Sequence, residues 1–458
     1  MCATHPTPTP HRPHADSPTG CAGYQQLNRR RLLQSSAWVG SSWLTGVAES
    51  LALGAERDQR ARPKSLLFLW LQGGPSQLET FDPHPGTWIG GESKSIATSI
   101  PHVEIADVLP ATAEQLHLAT LVRSVVSQEG DHERASYHLK TGWRPDPTLV
   151  HPSIGAIVCR QSESNVELPR HISILSGQWP ARGGYLGPSF DAFQTGDPAE
   201  GIPNLKARVE PQNLAQRSGQ LLETLETEFQ RGRLINLDRT RTQHQTATTH
   251  ALRMMSSQQL AAFEVANEGK TTLDKFGDTP FGRSCLAAVR LLETGVRCVE
   301  VELDGWDSHI NNHELQAARA RVLDLALSAT LAELAARDML PDTLVFCGGE
   351  FGRTPLINPA GGRDHWPHGF SVLLAGGRMR QGYVHGQTAS NPDRDLLKRQ
   401  SDAAPLEPAQ ITTNMVTVPD LHATLLSALD IDPTHELMTP IGRPLRWSDG
   451  NVVPELLS

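Results

Sequence analysis

Asp304, Asp307, His309 and His313 lie within ten residues of one another, and a second group follows in "GGEFGRTPLINPAGGRDHWPHG" (348–369). That segment carries Glu350, Arg353, Asp364, His365 and His368 among six glycines. Carboxylates and imidazoles gathered from several loops suit a divalent metal such as Zn²⁺, Mn²⁺ or Fe. One or two such ions would polarise an ester oxygen and generate a hydroxide nucleophile. His309 and His365, each close to an aspartate, are the stronger ligand candidates. His313 and His368 serve equally well as surface or packing residues, Asp304 as an Asx turn, and Asp364 as a turn or cap. Arg353 offers a planar fork for phosphate, sulfate or carboxylate. It would serve equally in a salt bridge to Asp364 or Glu350. In "QGGPSQLETFD", Gly73 and Gly74 would turn backbone N–H groups toward an anion, and Ser76 is either a ligand contact or a turn residue. That loop lacks the Lys-Ser/Thr ending of a P-loop, and the chain has no G-x-S-x-G elbow.

The elements that must position these residues alternate. "SLLFLWLQGG" (65–74) is a continuous apolar run ending in glycines, the pattern of a buried parallel strand. Further strands are expected at 118–126, 171–176, 296–303, 342–349 and 370–377. Helices are expected at 133–142, at 152–161, over "FGRSCLAAVRLLETG", at 312–339 and at 418–431. Strand, crossover helix, strand predicts a mostly parallel sheet with helices on both faces. Ligands of such sheets bind beyond the carboxyl ends of the strands. All three suspicious loops leave strands there, where glycines let the backbone turn sharply. Residues 208–275 are polar, rich in Gln and Thr and helical in pattern, and read as an inserted helical layer or lid.

The chain has 458 residues and a formal charge of −9, with 38% hydrophobic and 5% aromatic residues. Mild acidity and scarce aromatics exclude a basic or base-stacking nucleic-acid surface. Residues 1–27 lack periodicity. Arg29, Arg30 and Arg31 then precede a short, Ser- and Gly-containing apolar stretch, Ala37 to Ala48. This is the arrangement of a twin-arginine export signal, too short for a membrane span. The expected division is signal and N-terminus 1–55, an α/β domain 60–445 containing the 208–275 insertion, and a tail 446–458. Four cysteines follow the signal, Cys159, Cys285, Cys298 and Cys347, with no CxxC pair. They read as buried thiols and not as a thiolate zinc site, with Cys285–Cys298 the nearest candidate disulfide.

"LQGGPSQLETFDPHP", "GWDSH", "GGEFGRTP" and "GRDHWPHGFSVLLAGG" together resemble a bacterial family of exported proteins known as domain of unknown function 1501. The resemblance runs over roughly residues 60 to 445. It implies the alkaline phosphatase and sulfatase superfamily: a large central sheet and metal-dependent hydrolysis. "HERASYHLKTGWRP" (132–145) looks like the sulfatase stretch that carries the modified nucleophilic cysteine, with Thr141 and Gly142 matching its end. His132 falls where that nucleophile sits. Glu350 falls on a metal aspartate, Phe351 on the ligand after it, and Gln72 to Gly74 on the first-strand aspartate. The late "GRDHWPHG" segment favours His365 as a ligand, and "VPDLHATLLSALDID" looks like a structural terminal helix.

The resulting expectation is an exported, metal-dependent hydrolase-like protein with an alkaline phosphatase/sulfatase-like α/β fold. Asp307, His309, Asp364 and His365 hold a divalent metal (Zn²⁺, Mn²⁺, Fe or Ca²⁺). Glu350 is a ligand or general base, and Arg353 binds the anionic group. The substrate is a phosphate or sulfate ester of a small molecule or glycan, with no nucleic-acid partner and no membrane span in the mature protein. The alternative is a non-catalytic glycan- or protein-binding member of the same fold, which the missing nucleophile favours. A redox role has no haem-attachment or dinucleotide motif behind it.

Overall fold

The structure, a computed structural model, describes residues 64–162, 166–202, 254–255, 257–265, 268–398 and 412–458. Its frame is a nine-stranded sheet. The strands are β1 (Ser65–Leu71), β2 (Ala119–Val126), β3 (His171–Ile174), β4 (Phe193–Thr195), β5 (Cys298–Leu303), β6 (Thr343–Gly348), β7 (Phe370–Ala375), β8 (Tyr383–His385) and β9 (Val416–Thr417). Their order is β8-β2-β7-β6-β1-β5-β3-β4, with β9 also beside β2. Every pairing is parallel except those of β7, which runs antiparallel to both β6 and β2. The α/β fold with a mostly parallel sheet is therefore as expected.

The central strand shows why its sequence is apolar. Successive side chains of a strand point to opposite faces. Leu66, Phe68 and Trp70 join one apolar cluster, with residues of helices α1 (His132–Thr141), α2 (Ile154–Gln161) and α5 (Val418–Ala428). Leu67, Leu69 and Leu71 join the other, with residues of α3 (Pro280–Glu293) and α4 (Asn312–Ala336). Both faces are covered, so every position from Leu66 to Leu71 is apolar. Each such side chain contributes about 1.5–3 kcal/mol of burial.

Within the expected 446–458 tail, Trp447 and Leu456 are buried in the cluster that holds Trp70. Most of the expected 208–275 insertion lies outside the described residues. Its described end packs inward through Met254, Ala262, Phe263 and Val265. The twin-arginine segment also lies outside the described residues. Cys159, Cys285, Cys298 and Cys347 are buried free thiols, so the Cys285–Cys298 bridge is not formed. Among the described residues no helix is long and apolar enough to cross a membrane.

Candidate metal centre

Four chain segments meet at the carboxyl edge of the sheet. The loops after β1, β2 and β5 leave that edge, and the connection after β6 leaves it and returns to it as β7, which runs the other way.

The β5 loop supplies Asp307 and His309 by alternation. Trp306 and Ser308 are fully buried and face inward. Gln316 Nε2 on α4 holds them, donating to the Trp306 carbonyl (2.8 Å) and to Ser308 Oγ (2.9 Å). Asp307 and His309, the residues on either side of Ser308, face outward. The glycines of the neighbouring loops then have a definite function. A Cβ on Gly73, whose φ is +113°, would lie 2.6 Å from the Asp307 backbone nitrogen. A Cβ on Gly362 would lie 1.8 Å from the His309 carbonyl oxygen. The 307–309 backbone is thus seated between two loops that only glycine lets come so close.

His365 arrives on a two-residue ribbon. Gly352–Arg353 pairs antiparallel with His365–Trp366, which sets His365 opposite Arg353. His132 arrives from a further direction, as the first residue of α1. Asp131 caps that helix by accepting from Arg134 N at 3.1 Å, and Gly142 ends it with φ +77°.

His132, Asp307 and His365 present donor atoms that all lie within 4.8 Å of one another, a group able to hold a metal ion. His132 Nε2 is 3.4 Å from Asp307 Oδ2, and His365 Nε2 is 3.5 Å from Asp307 Oδ1. His309 Nε2 lies against two of the three, 3.2 Å from Asp307 Oδ1 and 3.0 Å from His365 Nε2. Behind each imidazole stands an acceptor for its other nitrogen. His132 Nδ1 meets Glu350 Oε1 at 2.7 Å, His365 Nδ1 meets the Gly130 carbonyl at 2.8 Å, and His309 Nδ1 meets Asp364 Oδ1 at 2.8 Å. Such outer contacts place a proton on Nδ1 and turn Nε2 inward. His132 Nε2 and Glu350 Oε2 are buried without a hydrogen-bond partner, so the centre holds polar atoms that the protein alone does not satisfy.

The electrostatics favour a cation. Three carboxylates (Asp307, Glu350, Asp364) face one guanidinium (Arg353), a formal −2 before the imidazoles are counted. Burial works against a charged His132 ring, yet the carboxylates of Asp307 and Glu350 outweigh it and lift its pKa to about 9. Burial likewise opposes the Asp307 carboxylate. His132, His365 and Arg353 prevail and hold its pKa well below the ordinary range.

Arg353, Glu350 and Asp364 take supporting positions in this geometry. Arg353 is fully buried. Its Nε donates to the Gly74 carbonyl (2.9 Å) and Nη1 to the Arg363 carbonyl (3.1 Å). Nη2 donates to the Gly73 carbonyl and to Asp307 Oδ1 (2.7 Å). Its fork is turned onto the protein, where it clamps the loops and orients Asp307, and not toward an incoming anion. Asp364 stands behind His309 and outside the three-donor group, and Glu350 stands behind His132. Glu350 Oε1 also accepts from Gly73 N (3.0 Å) and Gln72 Nε2 (3.1 Å).

The remaining candidates sit elsewhere. Asp304 is exposed. His313 pairs with Glu79 at 3.1 Å, and His368 packs edge-on against Trp366. Ser76 is buried, its hydroxyl bonded to Glu79. Phe351 forms a wall, its ring centroid 5.0 Å from His132 and 4.5 Å from His365. His132 is the residue that sequence spacing did not mark as a ligand. Its one sequence signal is the resemblance of "HERASYHLKTGWRP" to the sulfatase stretch that carries the nucleophile.

Among solved structures, PsFucS1 sulfatase from Pseudoalteromonas sp. is similar at 12% identity and a TM-score of 0.39, over 83% of this chain and 70% of that one. Ps i-CgsB in complex with k-i-k-neocarrahexaose is similar at 10% identity and a TM-score of 0.37, over 81% and 73%. The alkaline phosphatase from the Antarctic bacterium TAB5 is similar at 13% identity and a TM-score of 0.30, over 69% and 92%. No curated protein matches the chain. The family model described as "Protein of unknown function (DUF1501)" matches residues 63–457, and the chain belongs to that family.

Proposed function

We propose that this chain is an exported, metal-dependent hydrolase-like protein that acts on phosphate or sulfate esters, of a glycan or of a small molecule. The observation that carries the reading is the convergence of His132, Asp307 and His365 at the carboxyl edge of the sheet. Each of the two histidines is backed by an acceptor on its outer nitrogen. A divalent ion held there supplies a Lewis acid for the ester oxygen. The chain's own residues set the rest. Arg353 orients Asp307, Glu350 orients His132, and Phe351 keeps one side of the centre apolar. Half-buried Trp179 stacks parallel to His132 at 6.2 Å and offers a flat face on which a sugar ring packs.

Among the described residues, the side chains that bond to or stack on the three donors are His309, Glu350, Arg353, Phe351 and Trp179, with no Ser, Thr or Cys among them. With His132 in the nucleophile's position, the reading is a single displacement in which water attacks the ester. The same lack of a protein nucleophile favours the second reading, a non-catalytic glycan-binding protein. Aryl phosphates, aryl sulfates and sulfated oligosaccharides, offered to protein loaded with Zn²⁺ or Mn²⁺ and to protein stripped by chelator, separate the two. Turnover that chelation abolishes and metal restores supports the hydrolase. Saturable glycan binding without turnover across the panel overturns it. Export through the twin-arginine pathway belongs to the proposal. Periplasmic or secreted protein, lost when Arg30 and Arg31 are both changed to Lys, supports it.

A further inference from the structure

We propose that a cavity apart from the metal centre binds a neutral sugar ring of an oligosaccharide. The inference adds a second site to the reading above and needs no metal ion at the first. The cavity, of about 710 Å³, lies where the segment after β2, the turn after α1, the start of α5 and the hairpin of Glu436–Met438 with Pro444–Arg446 come together. That size falls within the roughly 300–1,000 Å³ of small-molecule sites. One wall, Val126 to Gln128, runs on in the chain to Gly130, whose carbonyl backs His365, and to His132. The aromatic residue of the cavity, Trp143, follows the far end of α1, ten residues and about 15 Å from His132 at its start.

The aromatic surface is built in advance. Half-buried Trp143 lies flat on the buried His151 ring, 4.7 Å away and 6° from parallel. Its Nε1 donates to the Trp447 carbonyl at 3.3 Å. His151 is fixed in turn by the Tyr137 hydroxyl, which accepts from the His151 backbone N–H at 2.6 Å and meets Nδ1 at 3.0 Å. An indole so held loses little freedom when a ring packs on it, and a sugar offers such a surface its face of C–H groups. Met415 and Ile441, 42% and 53% exposed, extend the apolar surface on two other walls. Exposed apolar side chains gathered on one concavity, and not scattered, are the pattern of a binding surface. The polar groups decide the class of ligand. The lining carries Arg144, Arg443 and Arg446 and, in equal number, Asp146, Glu436 and Asp449. Three positive and three negative charges cancel, so no net charge selects an anion or a cation. Arg446 pairs with Glu436 at 3.4 Å, and Arg144 Nε with Glu129 Oε1 at 2.7 Å, which holds both forks in place. Guanidiniums donate in pairs and carboxylates accept in pairs. Vicinal hydroxyls, each both donor and acceptor, answer both, and a sugar ring carries them around an apolar face. A protein segment is the poorer fit, because charged residues are depleted at the centre of protein interfaces.

The test is calorimetric titration of the full chain, kept in chelator, with the neutral hexasaccharides of β-1,4-glucan, β-1,4-mannan, β-1,3-glucan and agarose. The expected result is saturable binding of at least one of them. Trp143→Ala should weaken that binding at least about 30-fold, the loss of an aromatic anchor, and Trp143→Phe should restore most of it. Arg443→Ala, on the exposed hairpin, should weaken it about 5- to 10-fold, and it keeps the test decisive should Trp143→Ala misfold. Asp307→Ala, which dismantles the metal centre, should leave it within about twofold, since distant sites act independently. No binding of any of the four at millimolar concentration would overturn the proposal. Binding that Asp307→Ala abolishes and Trp143→Ala spares would overturn it too, by putting the sugar at the metal centre. A displayed random peptide bound in a Trp143-dependent way, with none of the four sugars bound, would assign the cavity to a protein partner instead. A chain that binds sugar here yet holds no metal would keep this inference and remove the metal reading.

Discussion

Replacing Glu350 by glutamine tests whether the residues behind the imidazoles build the metal centre. The side chain is fully buried, and Oε1 accepts from Gln72 Nε2, Gly73 N and His132 Nδ1 at 3.1, 3.0 and 2.7 Å. A glutamine keeps the shape and one acceptor oxygen. It loses the negative charge behind His132, and it places an amide NH₂ where Oε2 now lies with no partner. Removing a carboxylate that orients a metal-binding histidine typically costs about 10- to 100-fold in metal affinity, or about 1.4–2.7 kcal/mol. The orphaned NH₂ adds a stability cost of about 1–3 kcal/mol. Calorimetric titration with Zn²⁺, checked by chelator competition, reads the first quantity, and urea unfolding of the metal-free protein reads the second. A folded Glu350→Gln protein that binds Zn²⁺ within twofold of wild type would make Glu350 a structural acceptor for the Gly73 turn and no part of the centre.

Other outcomes follow from the same geometry. Arg353→Ala strips donors from the carbonyls of Gly73, Gly74 and Arg363. At about 1–3 kcal/mol for each buried acceptor left bare, it should destabilise the protein by at least about 3 kcal/mol in urea titrations. Gly362→Ala drives a Cβ to 1.8 Å from the His309 carbonyl. It should lower both Zn²⁺ affinity and stability, the latter by about 1–3 kcal/mol or more. The same change at exposed Gly196, where a Cβ meets nothing, should do neither. His138 on α1 and His422 on α5 are buried, and burial pushes the pKa of each ring down to about 4. In the unfolded chain both titrate near about 6.5. As pH falls from about 6.5 to 4, the unfolded state takes up protons that the folded state does not. The stability present above that window is thus lost through it, by at most about 3 kcal/mol per ring. Urea midpoints measured at neutral pH and near the bottom of the window should show the loss, and His422→Gln should flatten it. An unchanged slope in that variant would contradict the assignment.

The frame of the fold is legible because burial on both faces demands apolar residues along a central strand. "SLLFLWL" and "TLVFCG" declare themselves as strands for that reason. The direction of β7 is not legible in the same way. "FSVLLA" is equally apolar whichever way it runs, and its reversal is set by the ribbon that joins Arg353 to His365. The short strands Phe193–Thr195 and Tyr383–His385 carry no apolar run, since they lie at the ends of the sheet.

The centre divides along similar lines. Asp307, His309 and His365 are ligand-type residues in loops at the strand ends, where a parallel sheet places its sites. Asp364 is adjacent in sequence to His365, but successive residues of an extended segment face opposite ways. One therefore reaches Asp307 while the other backs His309. His132 opens a helix far ahead of Asp307 in the sequence, and only the closing of the sheet brings the two together. Arg353 has the residue type of an anion binder. That its fork faces three backbone carbonyls depends on loop positions that no spacing encodes.

That His132, Asp307 and His365 hold a metal ion is tested by elemental analysis of the purified full chain after Zn²⁺ loading and desalting, beside an Asp307→Ala/His365→Ala double variant of verified fold. One ion per wild-type chain and none retained by the variant is the expected result. Equal metal content in the two proteins, or none in the wild type, would mean that these residues hold no ion.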